Sequence, residues 1–391
     1  MLRYLTAGES HGRGLLTIVE GVPAGLTLKR KDIDAELARR QLGYGRGGRM
    51  KIEHDRVQII SGVRGGVTLG SSIGLMIDNR DWDNWRDQMS PDEVTSRRVT
   101  RPRPGHADLA GISKYGHRDI RNVLERASAR ETAARVAAGA VASTLLRQMD
   151  LWVLGYVVAL GGIDADRGRF DLPSGDPEDM WRGWREREGE SPLRCPDRCA
   201  EKEMIACIDR SSAAGDTLGG VIEVSVFGVP PGLGSYSQWD RRLDGALARA
   251  VMAVQGIKAV EIGLGSAAAF MPGSEVHDPI LPGEGGRSWR RGSNHAGGLE
   301  GGVSNGEPLV VRAAMKPIAT LGNPLPSIDI RTGKAVQAHH ERADVCAVPA
   351  AGVVVEAAVA FEVAGAFLEK FGGDSMQEIE RNYRGYLEEL L

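Results

Sequence analysis

The most strongly patterned stretch of the chain covers residues 119–150, with a charged first half and a small, apolar second half. Apolar residues recur at helical spacing over 120–127 and again over 134–141, which predicts one long helix with an acidic residue at its start. Arg126 and Arg130 are four residues apart, so both are expected on one face of this helix. The Ala/Gly-rich second half would let another backbone approach closely.

The remainder of the chain alternates strand-like and helix-like segments. Strands are predicted over 15–19, 26–28, 50–53, 57–63, 67–77, 152–160, 221–229 and 309–315. Helices are predicted over 32–40, 244–257 and 348–371, and a closing amphipathic helix is expected after the capping candidates Asp374 and Ser375. Because the strands are hairpin-like, the expected fold class is α+β with antiparallel sheets. Two strand groups, each with a long buried helix, indicate two similar halves.

Three long polar or Gly/Pro-rich segments, near 78–116, 271–298 and 316–339, are predicted to be functional loops, because long structureless segments are uncommon in compact domains. Residues 164–202 are charged and are expected to form a peripheral excursion. The whole chain, residues 1–391, is therefore expected to be a single domain.

Composition narrows the class of protein. A net charge of -3 gives no general positive field of the kind that nucleic-acid-binding proteins show. No cysteine or histidine spacing indicates a metal site, and the N-terminal residues show no secretory signal, so reduced thiols and a cytoplasmic location are expected. Residues 348–368 are long enough to cross a bilayer but contain Glu356 and Glu362, which favours a buried helix or a subunit contact over a membrane span.

Residues 43–48 fit the GxGxxG pattern of dinucleotide-binding folds. Those folds place a strand before the glycines and a helix after them, whereas here a charged helix precedes and a predicted strand follows. A flexible loop that presents Arg40, Arg46 and Arg49 to an anion explains the segment better.

Many basic residues lie in or beside Gly/Pro-rich turns. They are Arg40, Arg46, Arg49, Arg101, Arg103, Arg126, Arg130, Lys316 and Arg342. If they converge, they would bind a multiply anionic ligand through bidentate contacts. Two alternatives remain. The nine residues could be unrelated surface bases, or they could form an RNA-binding surface, since residues 43–49 are similar to an RGG segment.

Two histidines, His11 and His106, adjoin glycines in turns, where an imidazole can reach a ligand and exchange a proton near neutral pH. The alternative for each is a histidine that merely caps a loop. Asp344 is close to Arg342, so an ion pair is the simpler explanation for it. Cys346 has apolar neighbours and is expected to be buried and unreactive.

Four motifs together resemble those of chorismate synthases: GESHG at 8–12, RPRPGHADL at 101–109, RASARETAARVAAG at 126–139 and RADVCAVPAAG at 342–352. They follow the family's order and span nearly the whole chain. The resemblance implies a β-α-β sandwich with helices between two antiparallel sheets, assembled as a homotetramer. It also implies that 5-enolpyruvylshikimate 3-phosphate is converted to chorismate by anti elimination of phosphate, with reduced FMN required but no net redox change.

The resemblance also implies roles for individual residues. His11 would protonate the departing phosphate, His106 would set the protonation of the reduced flavin, and Ser10 and Asp344 would form a relay beside it. Matched FMN contacts are Arg126, Ala127, Ser128, Gln255, Gly256, Gly301, Lys316, Pro317, Ile318, Ala319, Thr320 and Arg342. Arg40 and Arg46 match positions for NADPH, and with Arg49 and Arg130 they are also expected to meet the substrate.

The chain departs from the family pattern at three positions: Leu264 replaces a common acid, Ala319 a usual serine, and Ala343 a serine or histidine. None is expected to abolish function. No extra domain for flavin reduction is evident, so an external reductant is expected, with NADPH as one source. The remaining alternatives are an RNA-binding protein, whose binding would depend on salt and not on FMN, and a nucleotide-dependent oxidoreductase, which would transfer hydride.

Overall fold

The computed structural model of the chain describes residues 1–47, 54–94, 98–170, 172–173, 175–283, 289–341 and 344–390. Its helices are α1 Arg30–Gln41, α2 Asp108–Tyr115, α3 Arg121–Leu124, α4 Thr132–Arg147, α5 Pro177–Glu188, α6 Arg198–Ala213, α7 Leu243–Met252, α8 Gly273–Val276, α9 Val348–Phe371 and α10 Met376–Leu390. Its strands are β1 Arg3–Ala7, β2 Gly14–Glu20, β3 Val57–Ser61, β4 Val63–Arg64, β5 Val67–Thr68, β6 Ile73–Asp78, β7 Trp152–Leu160, β8 Ile163–Asp164, β9 Gly220–Phe227, β10 Ile257–Ile262, β11 Ile280–Pro282, β12 Trp289–Arg291, β13 Leu299–Glu300, β14 Val303–Ser304, β15 Leu309–Met315, β16 Pro326–Ile328 and β17 Ala335–Gln337.

The strands build two antiparallel sheets, one of four strands in the order β1-β2-β6-β3 and one of five in the order β10-β15-β9-β7-β8. Strand β2 shows why the four-stranded sheet is covered on one face: Leu15, Thr17 and Val19 are buried, whereas Leu16 and Ile18 are 48% and 52% exposed. Alternation of this kind buries one face of a pleated sheet. The predicted α+β class with antiparallel sheets is confirmed.

The long helices lie between the two sheets. On the four-stranded side, α4 packs against β2, where the Thr17 hydroxyl donates a hydrogen bond of 3.1 Å to the Ala134 carbonyl. On the five-stranded side, α9 packs against β7 and β9. Helices α4 and α9 pack on one another, so sheet, helices and sheet form one layered core. This is the sandwich that the family resemblance implies.

Helix α9 passes the length and hydropathy test for a membrane span, but 72% of its most apolar window is buried inside the protein. Its predicted bounds, 348–371, are those of the structure, as are the predicted bounds of β7 and β15.

The prediction of one helix over 119–150 is wrong. Helix α3 ends at Leu124, a short 3-10 turn covers Ala129–Glu131, and α4 begins at Thr132. Ser128 interrupts the helix because its backbone is extended, with φ -64° and ψ 145°, and its hydroxyl accepts a hydrogen bond from the Arg130 amide. Serine often competes with helical bonding in this way. Arg126 and Arg130 therefore do not share a helix face: their side chains are 43% and 3% exposed.

Other predicted elements differ in smaller ways. The predicted strand 67–77 is split into β5 and β6 by a turn in which Gly70 has a φ of +79°. Residues 26–28 make an isolated bridge between Thr27 and Val67 instead of a strand. The predicted loop 78–116 contains α2, and the charged excursion 164–202 contains α5 and the start of α6. The predicted strand 50–53 lies outside the described residues.

Buried charges fix the C-terminal end of α1. Arg39 makes ion pairs of 2.7 Å with Glu188 of α5 and 2.8 Å with Glu356 of α9. Glu356 also accepts a hydrogen bond of 2.6 Å from the Gly155 amide of β7. The next residue, Arg40, therefore lies at a helix end that α5 and α9 hold in place.

Close packing of α4 on α9 generates a stability prediction. A Cβ atom added to Gly139 would lie 2.3 Å from the Ala357 Cβ and 2.6 Å from its Cα, whereas one added to Gly365 of α9 would meet nothing within 4 Å. We expect Gly139→Ala to destabilise the protein by about 2 kcal/mol or more, because the helices must separate. Gly365→Ala should be neutral or stabilising by up to ~1 kcal/mol, because alanine favours helix. Urea unfolding of the two variants checks this, and equal shifts of their midpoints would contradict it.

Candidate active site

The candidate site is built around the break between α3 and α4. The Ser10 amide donates a hydrogen bond of 3.0 Å to the Glu125 carbonyl, which brings the GESHG segment against this break. The Ser128 hydroxyl donates to the Ser10 hydroxyl over 3.2 Å. Two serines from separate motifs therefore meet where the predicted helix is interrupted.

Arg130 is buried beside them and is held by two polar side chains from the four-stranded sheet region. Its Nη1 contacts both carboxylate oxygens of Asp55 at 2.6 and 2.7 Å, and its Nε donates to Asn79 Oδ1 over 2.9 Å. Asp55 is 4% exposed, so this is a buried ion pair with little screening.

Arg40 lies against the same turn. Its Nε donates to the Thr132 hydroxyl over 2.8 Å, and its Nη2 donates to the Ala129 carbonyl over 2.9 Å. Burial lowers the pKa of Arg40 to about 9, against the attraction of Asp55 and together with the repulsion of Arg130 and Arg46. The guanidinium still carries its charge at neutral pH, and mutual repulsion makes an anionic ligand favourable there.

Arg46 and Asp344 form the third part of this cluster. Arg46 Nη1 lies 3.1 Å from Asp344 Oδ2, and the Gly47 amide donates to Asp344 Oδ1 over 2.6 Å. Asp344 is thus paired with Arg46, where the sequence favoured Arg342, which lies outside the described residues together with Arg49 and Ala343. Both Arg46 and Asp344 affect the pKa of Arg40, so the structure brings three of the predicted arginines together.

His11 is held by groups that the sequence did not single out. Its Nδ1 lies 3.0 and 3.1 Å from the two carboxylate oxygens of Glu125, and its backbone amide donates to Glu125 Oε2 over 2.8 Å. Arg121 Nη1 donates to Glu125 Oε1 over 2.9 Å. The Trp85 ring stacks on the His11 ring at a centroid distance of 3.9 Å.

His106 has a similar environment. Its Nδ1 lies 2.6 Å from Asp108 Oδ1, and Arg103 Nε donates to Asp108 Oδ2 over 2.9 Å. Burial raises the pKa of Asp108, but hydrogen bonds from His106 and Arg103 outweigh it and hold that pKa well below its usual range. Asp108 is therefore ionised at neutral pH. Arg103 also donates to the Thr320 hydroxyl over 3.1 Å, which ties this loop to the segment after β15.

Several of the expected cofactor contacts form a polar strip beside this cluster. The strip is made of Arg126, Ser128, Gln255, Gly256 and Lys316. Arg126 Nη2 donates to the Thr6 carbonyl over 3.0 Å, and Gln255 Nε2 donates to Glu131 Oε2 over 2.9 Å. The Lys316 amide donates to the Gly256 carbonyl over 2.9 Å, and its ammonium donates to the Gly105 carbonyl. Burial and the charge of Lys258 lower the pKa of Lys316.

Gly301 does not join the other expected contacts. It lies in the turn between β13 and β14, where the Ser304 amide donates to the Leu233 carbonyl beyond the end of β9. That end of β9 pairs with the start of β15 at Leu309, whereas Lys316 follows the last residue of β15. Seven residues of strand, about 20 Å, separate Leu309 from Lys316, so the turn that holds Gly301 lies toward the opposite end of β15 from Lys316.

The residues that sequence reasoning missed are mainly acceptors and ring partners: Trp85, Glu125, Asp108, Asp55, Asn79 and Arg121. Asp108 stands two residues after His106 in the RPRPGHADL motif, which was an available signal. The pairing of Arg130 with Asp55, 75 residues away, had none.

Metal ligation and thiol chemistry are not indicated in the described part of the chain. No group of three His, Cys, Asp or Glu residues there could hold a metal ion. Cys346 is buried, and burial raises the pKa of its thiol to about 11. A protonated, buried thiol is a poor nucleophile, in line with the expectation for this residue.

Buried arginines beside histidines that are held by carboxylates are typical of an enzyme that binds a small, multiply anionic substrate and moves protons on it. The chorismate synthase family profile matches residues 2–368. The chorismate synthase of Desulforudis audaxviator is 58% identical over 393 residues, covering 100% of the chain and 98% of that protein. The chorismate synthase of Pelobacter propionicus is 57% identical over 401 residues, covering 100% and 99%.

A crystal structure of a chorismate synthase matches the fold with a TM-score of 0.79 at 43% identity, covering 100% of the chain and 98% of that structure. The chain belongs to the chorismate synthase family, and it is a carbon–oxygen lyase that acts on a phosphate ester. The comparisons give no support to the RNA-binding alternative, and a lyase replaces the oxidoreductase alternative.

The Arg130–Asp55 pair generates a prediction. We expect Asp55→Asn to lower the free energy of unfolding by about 3 kcal/mol or more, because it leaves buried arginine charge without its counter-charge. Urea unfolding measures the loss. Asp92→Asn is the matched control, because Asp92 is exposed and should unfold close to wild type. Equal stability of the two variants would contradict this account of the cluster.

Proposed function

We propose that the site eliminates phosphate from 5-enolpyruvylshikimate 3-phosphate in the anti sense to give chorismate, with reduced FMN required and no net redox change. The observation that carries the proposal is the gathering of Arg40, Arg46 and Arg130 beside His11. The substrate carries one phosphate and two carboxylates, so it needs several fixed positive charges.

The residues along the polar strip suit FMN. Arg126 and Lys316 are cations for a phosphate, and the side chains of Gln255 and Ser128 can bond a polar ring edge. Gly105 has a φ of +78°, and a Cβ there would lie 3.3 Å from the Lys316 ammonium. A glycine at this position therefore leaves space beside Lys316 for a ligand. Remaining members of the proposed FMN set are Ala127, Gly256, Gly301, Pro317, Ile318, Ala319, Thr320 and Arg342. When bound in reduced form, FMN supplies an electron that assists the loss of phosphate and is afterwards recovered.

The histidines and the relay residues handle protons in this proposal. His11 protonates the departing phosphate, and His106 holds the proton that sets the state of the reduced cofactor. Ser10 and Asp344 form the relay that takes up the proton released when the C–H bond of the substrate ring breaks. Ser10 is hydrogen-bonded to Ser128, and Asp344 is paired with Arg46. The arginines Arg40, Arg46, Arg49 and Arg130 bind the substrate anions.

An external reductant is proposed to keep FMN reduced, with NADPH as one electron source. Arg40 and Arg46 match family positions for NADPH, but their side chains are 6% and 10% exposed. Such low exposure supports contact with a compact phosphate group of the substrate. The four cysteines are free thiols, which supports a reducing, cytoplasmic location.

A homotetramer is proposed because the outer face of the four-stranded sheet is apolar. Leu5, Leu16, Ile18 and Ile60 are 71%, 48%, 52% and 63% exposed there. Apolar patches of this kind usually mark a protein interface. The position of Gly301, toward the opposite end of β15 from Lys316, is also explained if its loop approaches the site of a neighbouring subunit.

The reaction is tested anaerobically with the purified protein, 5-enolpyruvylshikimate 3-phosphate and chemically reduced FMN, with chorismate followed by absorbance. We expect product only with reduced flavin, and we expect His106→Ala to lower turnover by about 100-fold or more while the fold is kept. His277→Ala, at an exposed histidine, should keep normal turnover. Product formed without flavin would reject the cofactor, and normal turnover of His106→Ala would reject the role of that residue.

The assembly is tested with the double variant Leu16→Glu/Ile18→Glu. The variant adds two glutamates per chain, so two sheets packed face to face would bury four like charges. Unpaired buried charge is costly and should prevent association. We expect analytical ultracentrifugation to show four chains for wild type and one or two for the variant. Leu325→Glu, at a similarly exposed position away from this face, should remain tetrameric. A monomeric wild type would reject the proposal.

A further inference from the structure

Both candidate catalytic histidines share one arrangement, although they come from different motifs and different loops. In each case Nδ1 contacts a buried carboxylate, and an arginine holds that carboxylate from its other side. The two sets are His106 with Asp108 and Arg103, and His11 with Glu125 and Arg121. The histidine side chains are 19% and 14% exposed, whereas the Asp108 and Glu125 carboxylates are 0% and 2% exposed.

The position of the hydrogen on His106 follows from the shortest contact. Ionised Asp108 can only accept hydrogen bonds, so the 2.6 Å contact requires a hydrogen on Nδ1. Arg103 Nη2 also lies over the ring, 3.1 Å from Nδ1 and 3.4 Å from Nε2, but it has Asp108 Oδ1 as an acceptor at 3.2 Å. The two donors therefore share one carboxylate, and the neutral ring is the Nδ1–H tautomer.

His11 obeys the same argument with a different geometry. In the described part of the chain, the other partners of the Glu125 oxygens are the His11 amide and Arg121, which are both donors, so a hydrogen on Nδ1 fits the same pattern. The Trp85 ring, stacked on His11, also lies 5.0 Å from the Arg121 guanidinium. Carboxylate and indole together fix both the rotation and the plane of the imidazole.

The two sets are also related through a third carboxylate, that of Glu341. Glu341 lies 3.6 Å from Arg103, and the charges of Arg103 and Arg121 both lower its pKa, after burial raises it. Arg103 contacts this carboxylate and the charge of Arg121 acts on it, so the two sets are linked electrostatically.

We propose that Asp108 and Glu125 are positioning residues that keep His106 and His11 as Nδ1–H tautomers, so that each ring exchanges its proton with ligands through Nε2. The proposal rests on the catalytic roles proposed above for the two histidines. An orienting carboxylate of this kind is a general device for setting the tautomer of a catalytic imidazole. When the carboxylate loses its charge, the ring hydrogen is expected to leave Nδ1 for Nε2, while the imidazole itself is kept.

The test uses the apo protein labelled with 15N-histidine, whose ring nitrogens are observed by magic-angle-spinning NMR at a pH where the imidazoles are neutral. The signals of His106 and His11 are assigned from their loss in His106→Ala and His11→Ala. We expect both to carry hydrogen on Nδ1 in wild type. In Asp108→Asn, the His106 hydrogen should move to Nε2, because an amide can donate to Nδ1. Glu125→Gln should do the same for His11.

Glu341→Gln is the matched control, because Glu341 contacts Arg103 without touching either histidine ring. Its spectrum should keep both Nδ1–H signals. In the turnover assay, Asp108→Asn should lose about 100-fold or more in kcat with substrate KM near wild type, since binding groups are untouched.

Hydrogen on Nε2 of His106 in wild-type protein would overturn the proposal without any variant, even if Asp108→Asn failed to fold. Normal kcat for Asp108→Asn beside an inactive His106→Ala would also overturn it and leave the proposed function intact. Normal turnover of His106→Ala itself would instead reject the proposed role of that histidine.

Discussion

The site depends on the buried ion pair between Arg130 and Asp55. Asp55 precedes β3, Asn79 follows β6, and Arg130 leads into α4, so one guanidinium connects the four-stranded sheet with the central helix layer. A buried pair of this kind is costly to break, because the remaining charge cannot reach water. The turn that carries Arg130 is therefore fixed, and Ser128 and Arg40, which bond to that turn, are fixed with it.

This constraint also explains which elements the sequence predicts well. Helix α9 and strands β7 and β15 have the bounds that their apolar patterns predict, because burial alone determines them. The stretch 119–150 fails because distant contacts outweigh local spacing. Apolar periodicity predicts one helix over this stretch. Two features interrupt it: the extended backbone of Ser128, and the ion pair of Arg130 with Asp55, which is 75 positions away.

The candidate site divides in the same way. Its motifs identify His11, His106 and the arginines, because those residue types stand out beside glycines. They do not identify Glu125 or Trp85, whose role arises from contact with His11 across the fold. An acidic residue inside a helical pattern has the same appearance whether it faces solvent or holds an imidazole, so spacing cannot separate the two cases.

Net charge and local charge are different quantities here. The chain carries a net charge of -3, which argues against a general affinity for nucleic acid. Yet α4 begins two residues after Arg130, and α9 begins four residues after Asp344, the partner of Arg46. The positive ends of two helix dipoles therefore add to an arginine cluster whose three charges are only partly compensated by Asp55 and Asp344. Because these charges are buried, salt screens them little, and a compact anion meets a strong local field on a protein that is acidic as a whole.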